Sequence, residues 1–188
     1  MDINDYQFNE IINGDAPLVF LGRIQQEKGT AIAIQIAKAT NKKLIIAGNI
    51  PNEGMHQRYF DEQVKPHIDQ DRISYIGPVN NIQKNELLRN ALAFLMPVTW
   101  DEPFGIVMAE ALACGTPVIG FNRGAIPEVV SNGINGFVCS TNDEMIMAVN
   151  NIQQISRHKC REIAETKFSA HVLASQYEQL YKQAIARY

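Results

Sequence analysis

Short apolar runs alternate along the chain with longer stretches that mix apolar and polar residues. Six runs of four to six residues, rich in aliphatic side chains, are typical of buried β-strands. They span residues 17–22, 44–48, 72–77, 93–97, 117–120 and 136–139. Because these runs are continuously apolar rather than alternating, they predict strands of a parallel sheet that is covered on both faces.

The stretches between the strands predict helices. They cover residues 28–40, 55–65, 81–91 and 105–113, with Asn80 as the N-cap of the third. Residues 31–36 also alternate like a strand, but the Ala, Gln and Lys residues around them favour a helix. Four successive strand–helix units predict an α/β fold, a Rossmann-like doubly wound parallel sheet.

The same pattern divides the chain into three parts. Residues 1–16 are polar and read as a lead-in segment, residues 17–168 as one α/β domain, and residues 169–188 as a C-terminal helix. The 188 residues are 46% hydrophobic and 20% charged, which fits a single globular domain. A net charge of −3 argues against nucleic-acid partners, which need a basic surface.

Compartment follows from the ends, the apolar runs and the cysteines. Polar residues interrupt every apolar run before it reaches the length of a membrane span. The first ten residues, MDINDYQFNE, lack the basic start and apolar core of a secretory signal. Cys114, Cys139 and Cys160 are odd in number and lack metal-ligand spacing, which argues against disulfides and zinc. We therefore expect a cytoplasmic protein.

The loops after the strands are the expected ligand site, because open α/β sheets bind ligands at the carboxyl ends of their strands. The dinucleotide pattern G-x-G-x-x-G and the P-loop pattern are both absent. The loop after the fourth strand leads instead into PFGIVMAEALACGTPVIGFN, where Glu110 is the only charged residue. A carboxylate in so apolar a run needs a partner, either a ligand or a structural bond to a backbone amide.

Glu102, Gly105 and Glu110 are spaced to suit a nucleoside diphosphate. Pro103 disfavours helical geometry at Glu102 and so places it in the loop. Gly105 stands near the helix start, where backbone N–H groups and the helix dipole attract anions. Glu110 follows five residues later, about 7–8 Å along a helix. We expect phosphates at the helix start, ribose hydroxyls at Glu110 and the group beyond the distal phosphate near Glu102.

Two cations flank the loop after the first strand. Arg23 follows Gly22 at the strand end, and Lys28 precedes Gly29. Alone they would be read as solvated loop charges. Beside a helix N-terminus they can neutralise a diphosphate, and they stabilise it better as its charge grows on bond cleavage. This predicts diphosphate binding without a divalent metal and without any cofactor.

These segments together resemble the nucleotide-sugar-binding half of retaining GT-B glycosyltransferases of the group 1, or family 4, set. The resemblance rests on Gly22-Arg23 with Lys28-Gly29, and on the run EPFGIVMAEALACGTPVI. Within that run Glu102 and Glu110 are separated by seven residues, which is the family signature. The segments RGAIPE (123–128) and NGINGF (132–137) are also similar to the family pattern.

The resemblance implies roles for the matching positions. As catalytic residues, Arg23 and Lys28 would bind the donor diphosphate and Glu102 would contact the hydroxyls of the donor sugar, while Glu110 would contact the ribose. The donor would be a nucleotide diphosphate hexose, with uracil as the expected base, transferred with retention. The remaining donor-binding residues would act mainly through their backbone: Gly22, Ile76, Gly77, Pro78, Phe104, Gly105 and Ile106.

Family members carry a second Rossmann-like domain that binds the acceptor, and sixteen residues before the first strand are too few to form it. We therefore expect the acceptor half to come from a missing N-terminal domain or a partner chain. Two other functions stay open: a nucleotide-sugar epimerase on the same fold, and a nucleotide-sugar-binding subunit or sensor. The D-x-D sequence at Asp69-Gln70-Asp71 is read as a turn rather than a metal site, because it precedes the third strand.

Overall fold

The six predicted strands form one parallel sheet. The computed structural model describes residues 1–186, so positions 187–188 of the predicted C-terminal helix lie outside the described residues. The strand order β3-β2-β1-β4-β5-β6 is that of a doubly wound Rossmann-like sheet, which confirms the predicted fold class. The strands are β1 (Leu18–Leu21), β2 (Leu44–Ala47), β3 (Ile73–Tyr75), β4 (Ala93–Met96), β5 (Val118–Phe121) and β6 (Gly136–Cys139).

Eight α-helices are described in residues 1–186. The predicted N-cap is confirmed, because the Asn80 side chain accepts a hydrogen bond from the backbone N–H of Gln83. The helix predicted from residue 28 begins two residues later, after a 3-10 turn. The helices are α1 (Thr30–Ala39), α2 (Gly54–Tyr59), α3 (Asn81–Arg89), α4 (Ile106–Ala113), α5 (Ile126–Val129), α6 (Asn142–Asn150), α7 (Arg157–Ile163) and α8 (Ala170–Ile185).

Helices cover both faces of the sheet. Helix α1 packs against α6, whereas α4 packs against α3 and α7. The strands between them are almost wholly buried, with Leu18, Leu44, Phe94 and Ile119 fully inaccessible. This two-sided burial is the reason that the strand sequences are continuously apolar.

Strands β1 and β4 are neighbours in the sheet although they are distant in the chain. Leu18 pairs with Ala93 and Val19 with Phe94 in parallel register. The direction of strand order reverses between these two strands, so a crevice opens beyond their carboxyl ends. The loops that follow Leu21 and Met96 therefore face the same space.

Residues 1–16 pack against the domain rather than simply lead into it. Ile3 joins the hydrophobic core. Two arginines hold the segment by its backbone: Arg161 Nη1 donates to the Tyr6 carbonyl at 2.8 Å, and Arg157 Nε donates to the Asn9 carbonyl at 2.7 Å. A polar sequence could not reveal this attachment, because most of it is made by main-chain carbonyls.

The last helix stands apart from the core. No residue of α8 is buried, and Tyr177, Leu180, Tyr181 and Ile185 are largely exposed. Its first turn is tied to the chain start, since the Ala170 N–H donates to the Met1 carbonyl at 2.8 Å. None of the helices described in residues 1–186 combines the length and the apolar character needed to cross a membrane.

Candidate functional site

A cleft of about 210 Å³ opens at the carboxyl ends of β1 and β4. The structure brings six of the predicted site residues to it, from the loop after β1 and from the segment that leads into α4. These residues are Gly22, Arg23, Lys28, Glu102, Gly105 and Ile106. Apolar side chains of both strands and of the α4 start complete the lining.

Lys28 and Glu102 form an ion pair across this cleft. The Lys28 Nζ lies 2.6 Å from Glu102 Oε2, and the two side chains are only 14% and 12% exposed. Trp100 Nε1 donates to the same oxygen at 3.1 Å, and its ring lies 4.5 Å from the Lys28 Nζ. In the described residues both bonds reach Oε2, which leaves Oε1 without a donor.

Gly29 explains how a residue of the β1 loop reaches the end of β4. Its backbone is left-handed, with φ of +78°, and a Cβ at this position would overlap the carbonyl oxygen of Pro97. The Thr99 N–H donates to the Glu27 carbonyl at 2.9 Å and ties the two loops together. The close approach places Lys28 beside Glu102.

The other positive groups of the cleft remain open to solvent. Arg23 is exposed, and within residues 1–186 no carboxylate pairs with it. Helix α4 begins beyond Gly105, whose φ is +66°, and no side chain caps it. Gly105, Ile106 and Val107 at its start line the cleft together with Lys28 and Arg23, so an anion there would meet two cations and a helix N-terminus.

Glu110 differs from the expectation that ligand hydroxyls would be its partners. Its carboxylate is nearly buried in the middle of α4, and two protein groups donate to Oε1: Lys84 Nζ at 2.6 Å and Tyr6 Oη at 2.7 Å. Burial and the adjacent Glu110 carboxylate raise the pKa of Tyr6, so its hydroxyl stays protonated and donates. In the described residues no group donates to Oε2.

Glu110 does not line the cleft, and neither do four further predicted positions. Ile76, Gly77 and Pro78 follow β3, and the Gly77 carbonyl accepts from the Gly48 N–H at 2.9 Å. Phe104 is 42% exposed, and its ring lies 6.1 Å from that of Phe168. Their assignment to the donor base and phosphates stays a prediction.

The turn interpretation of the D-x-D sequence is confirmed. Asp69 Oδ1 accepts hydrogen bonds from the backbone N–H groups of Asp71, Arg72 and Ile73, which hold the turn before β3. These bonds lower the pKa of Asp69. Elsewhere in residues 1–186, no group of three or more His, Cys, Asp or Glu side chains is arranged to hold a metal ion.

Three side chains of the site could not be found from the sequence. The indole N–H of Trp100 donates to Glu102, two residues further along the chain. Tyr6 and Lys84 reach Glu110 from segments 104 and 26 residues away. No motif spacing connects either of them to α4, so only the fold reveals the contacts.

The comparison with known protein families assigns the chain to one of them. The family model described as glycosyl transferases group 1 matches residues 2–170. The chain belongs to this family. The match covers the whole sheet and every predicted site residue, and the architecture is that of the C-terminal half of a GT-B fold.

Three similar proteins show how much of a family member the chain represents. An uncharacterized 41.2 kDa protein of the cps region of Klebsiella pneumoniae is 29% identical over 180 residues, 93% of this chain and 48% of that protein. The structure of AviGT4, a glycosyltransferase involved in avilamycin A biosynthesis, superposes with a TM-score of 0.80 at 27% identity, covering 99% of this chain and 57% of that one.

HepE of Anabaena, solved in complex with UDP-glucose, has the same fold, with a TM-score of 0.78 at 22% identity; the match covers 97% of this chain and 56% of HepE. The chain therefore spans about half the length of each of these three proteins.

Proposed function

We propose that this chain is the donor-binding half of a glycosyltransferase that takes a hexose from a nucleotide diphosphate sugar with retention of configuration. The observation that carries the proposal is the cleft itself. Arg23, Lys28 and Glu102 line it together with the uncapped start of α4, where the strand order reverses between β1 and β4.

The cations act on the diphosphate as leaving group. Arg23, Lys28 and the N–H groups of Ile106 and Val107 supply positive charge where negative charge grows as the bond to the sugar breaks. This arrangement supports binding that needs no divalent metal and no cofactor. Lys28 is oriented in advance by its ion pair with Glu102, so little reorganisation is needed when the donor enters.

The sugar and the nucleoside extend on either side of the diphosphate. Glu102 keeps Oε1 available for a sugar hydroxyl, because both of its protein donors bind Oε2. Glu110 keeps Oε2 available for the ribose in the same way. The backbone of residues 76–78 after β3 would contact the base, and that of Phe104 would contact sugar and phosphate.

The acceptor would be bound by a domain that the matched half does not include. Relatives of about twice the length support this arrangement. The exposed apolar face of α8, formed by Tyr177, Leu180, Tyr181 and Ile185, is where we expect that domain to pack. Without it, the same face would favour self-association.

A thermal-shift panel of UDP, GDP, ADP and their hexose conjugates tests the proposal. Ligands that bind the native state raise the melting temperature by mass action. HepE, which shares the fold, was solved with UDP-glucose, and UDP is therefore the first nucleotide to test. We expect one nucleotide series to raise the melting temperature in EDTA as much as in magnesium.

Absence of any shift across the panel would contradict nucleotide-sugar binding, and a shift that EDTA abolishes would contradict the metal-independent site. Proton NMR of the sugar after incubation separates the reaction classes. Slow hydrolysis agrees with one half of a transferase. Conversion of the sugar to its epimer would contradict the transferase proposal and indicate an epimerase instead.

A further inference from the structure

The contacts of Glu110 deepen the proposed function, on which this inference rests. Glu110 is the least accessible carboxylate of the site, with 5% of its side chain exposed. Its two protein partners donate to one oxygen only. In the described residues, the fully buried polar side-chain atoms without a hydrogen-bond partner are Gln25 Oε1 and Thr30 Oγ1. Glu110 Oε2 also lacks a partner but is not one of these atoms, so it keeps contact with solvent.

Lys84 is held in place by the start of α3. The Asn80 and Gln83 side chains form a reciprocal capping box, with bonds of 2.9 and 3.0 Å, that fixes the first turn of the helix. From this turn the Lys84 side chain, only 18% exposed, extends to Glu110 on the neighbouring helix. A lysine with so little freedom fixes the rotamer of the carboxylate.

Tyr6 is held by a different set of hydrogen bonds, made by Arg161. Arg161 Nη1 donates to the carbonyls of Tyr6 and of Ala113, at 2.8 and 2.7 Å, and so ties the Tyr6 backbone to the end of α4. The Lys84 Nζ lies 6.0 Å from the centroid of the Tyr6 ring. The two donors therefore approach the same oxygen from different elements of the fold.

We propose that Lys84 and Tyr6 are positioning residues for nucleotide recognition: they hold Glu110 by Oε1 and leave Oε2 as the acceptor for the ribose hydroxyls. Lys28 and Trp100 hold Glu102 in the same one-sided way. A pair that only stabilised the fold would contribute to melting temperature but not to the discrimination between nucleotides with and without ribose hydroxyls.

Calorimetric titration with UDP and with 2′,3′-dideoxy-UDP tests this assignment on the full chain. We expect the native protein to prefer UDP by about 10-fold or more, the effect of charged hydrogen bonds. In Lys84→Met this preference should fall by at least about threefold, because the carboxylate can rotate. The control Lys43→Met removes an exposed ion pair with Asp15 and should leave the preference unchanged.

Equal losses for both nucleotides in Lys84→Met, or no loss for either, would overturn the positioning role. Should Lys84→Met fail to fold, Tyr6→Phe decides by the same criterion, because it removes only the hydroxyl. A native protein that binds UDP without any preference for the ribose hydroxyls also overturns the inference. A native protein that binds neither UDP, GDP nor ADP contradicts instead the proposed function.

Discussion

At the scale of single residues, the carboxylates of Glu102 and Glu110 each accept protein hydrogen bonds through only one of their two oxygens. Glu102 Oε2 receives Lys28 and Trp100, and Glu110 Oε1 receives Lys84 and Tyr6. Charge-assisted bonds of this kind orient a side chain before a ligand arrives. The other oxygen of each carboxylate has no protein donor and can accept a hydrogen bond from the proposed nucleotide sugar.

Glu110→Ala should weaken binding of the nucleoside diphosphate while the fold stays intact. Loss of charged hydrogen bonds to the ribose corresponds to about 1.5–3 kcal/mol of affinity. Lys84, freed from its partner, is near enough to the surface to be hydrated. Calorimetry measures the affinity and circular dichroism the fold, with the exposed Glu86→Ala as control. Unchanged affinity would give Glu110 a purely structural role.

The three cysteines should resist modification in the native protein. Burial raises the pKa of Cys114, Cys139 and Cys160 to about 12 each. At pH 8 only about one thiol in 10⁴ would then be a thiolate, the reactive form. A disulfide-exchange reagent should titrate three thiols after denaturation and almost none before. Rapid reaction of any native thiol would contradict this burial.

At the scale of elements, the start of α4 depends on the conformation of Gly105. Its φ of +66° lies in the left-handed region, and a Cβ there would come within 2.9 Å of the Met96 Cε and 3.0 Å of the Met108 Cε. Flexible methionine ends can move aside, but the backbone preference remains. The backbone at the helix start is therefore one that glycine adopts at little cost and other residues rarely adopt.

Gly105→Ala should lower both stability and nucleotide affinity. The left-handed backbone costs a non-glycine residue about 1–2 kcal/mol. Gly133 offers a matched control, with φ of +76° and no atom within 4 Å of an added Cβ. Gly133→Ala should lower stability by a similar amount, measured by urea denaturation, without weakening binding. Equal affinity losses in both variants would show that the helix start is not the anion site.

The six strands and the helices between the first five of them were predicted within a few residues, because continuous apolar runs mark buried strands and longer mixed stretches mark helices. Helix α5 has only four residues, too few to show a helical period, and it was missed. At the site, the spacing within one segment gave Glu102, Gly105 and Glu110. The partners that Tyr6, Lys84 and Trp100 provide could not be predicted, since contacts between distant segments depend on the folded chain.

At the scale of the whole molecule, the proposed function makes the cleft one wall of a site between two domains. Arg23, Lys28 and the start of α4 line the cleft. Sugar transfer also needs an oriented acceptor hydroxyl and the exclusion of water. We expect the acceptor-binding domain to pack on the exposed apolar face of α8. Binding and catalysis should therefore separate in this chain.

The chain alone should bind a nucleotide sugar but transfer it to no external acceptor. Orientation contributes about 7–11 kcal/mol to such reactions, so its loss leaves at most slow hydrolysis. Radiolabelled UDP-glucose, incubated with the purified chain and a broad acceptor mixture, measures both processes. Robust formation of glycosylated product by this polypeptide would contradict the half-site account.

The central claim is that the nucleotide diphosphate sugar binds at the carboxyl ends of β1 and β4. Titration of UDP-glucose into the ¹⁵N-labelled chain in EDTA, followed by amide chemical shifts, tests it most directly. We expect saturable shifts concentrated at residues 22–29 and 104–107, with smaller shifts at 76–78. Saturable shifts concentrated on another face of the sheet, or none at all, would contradict it.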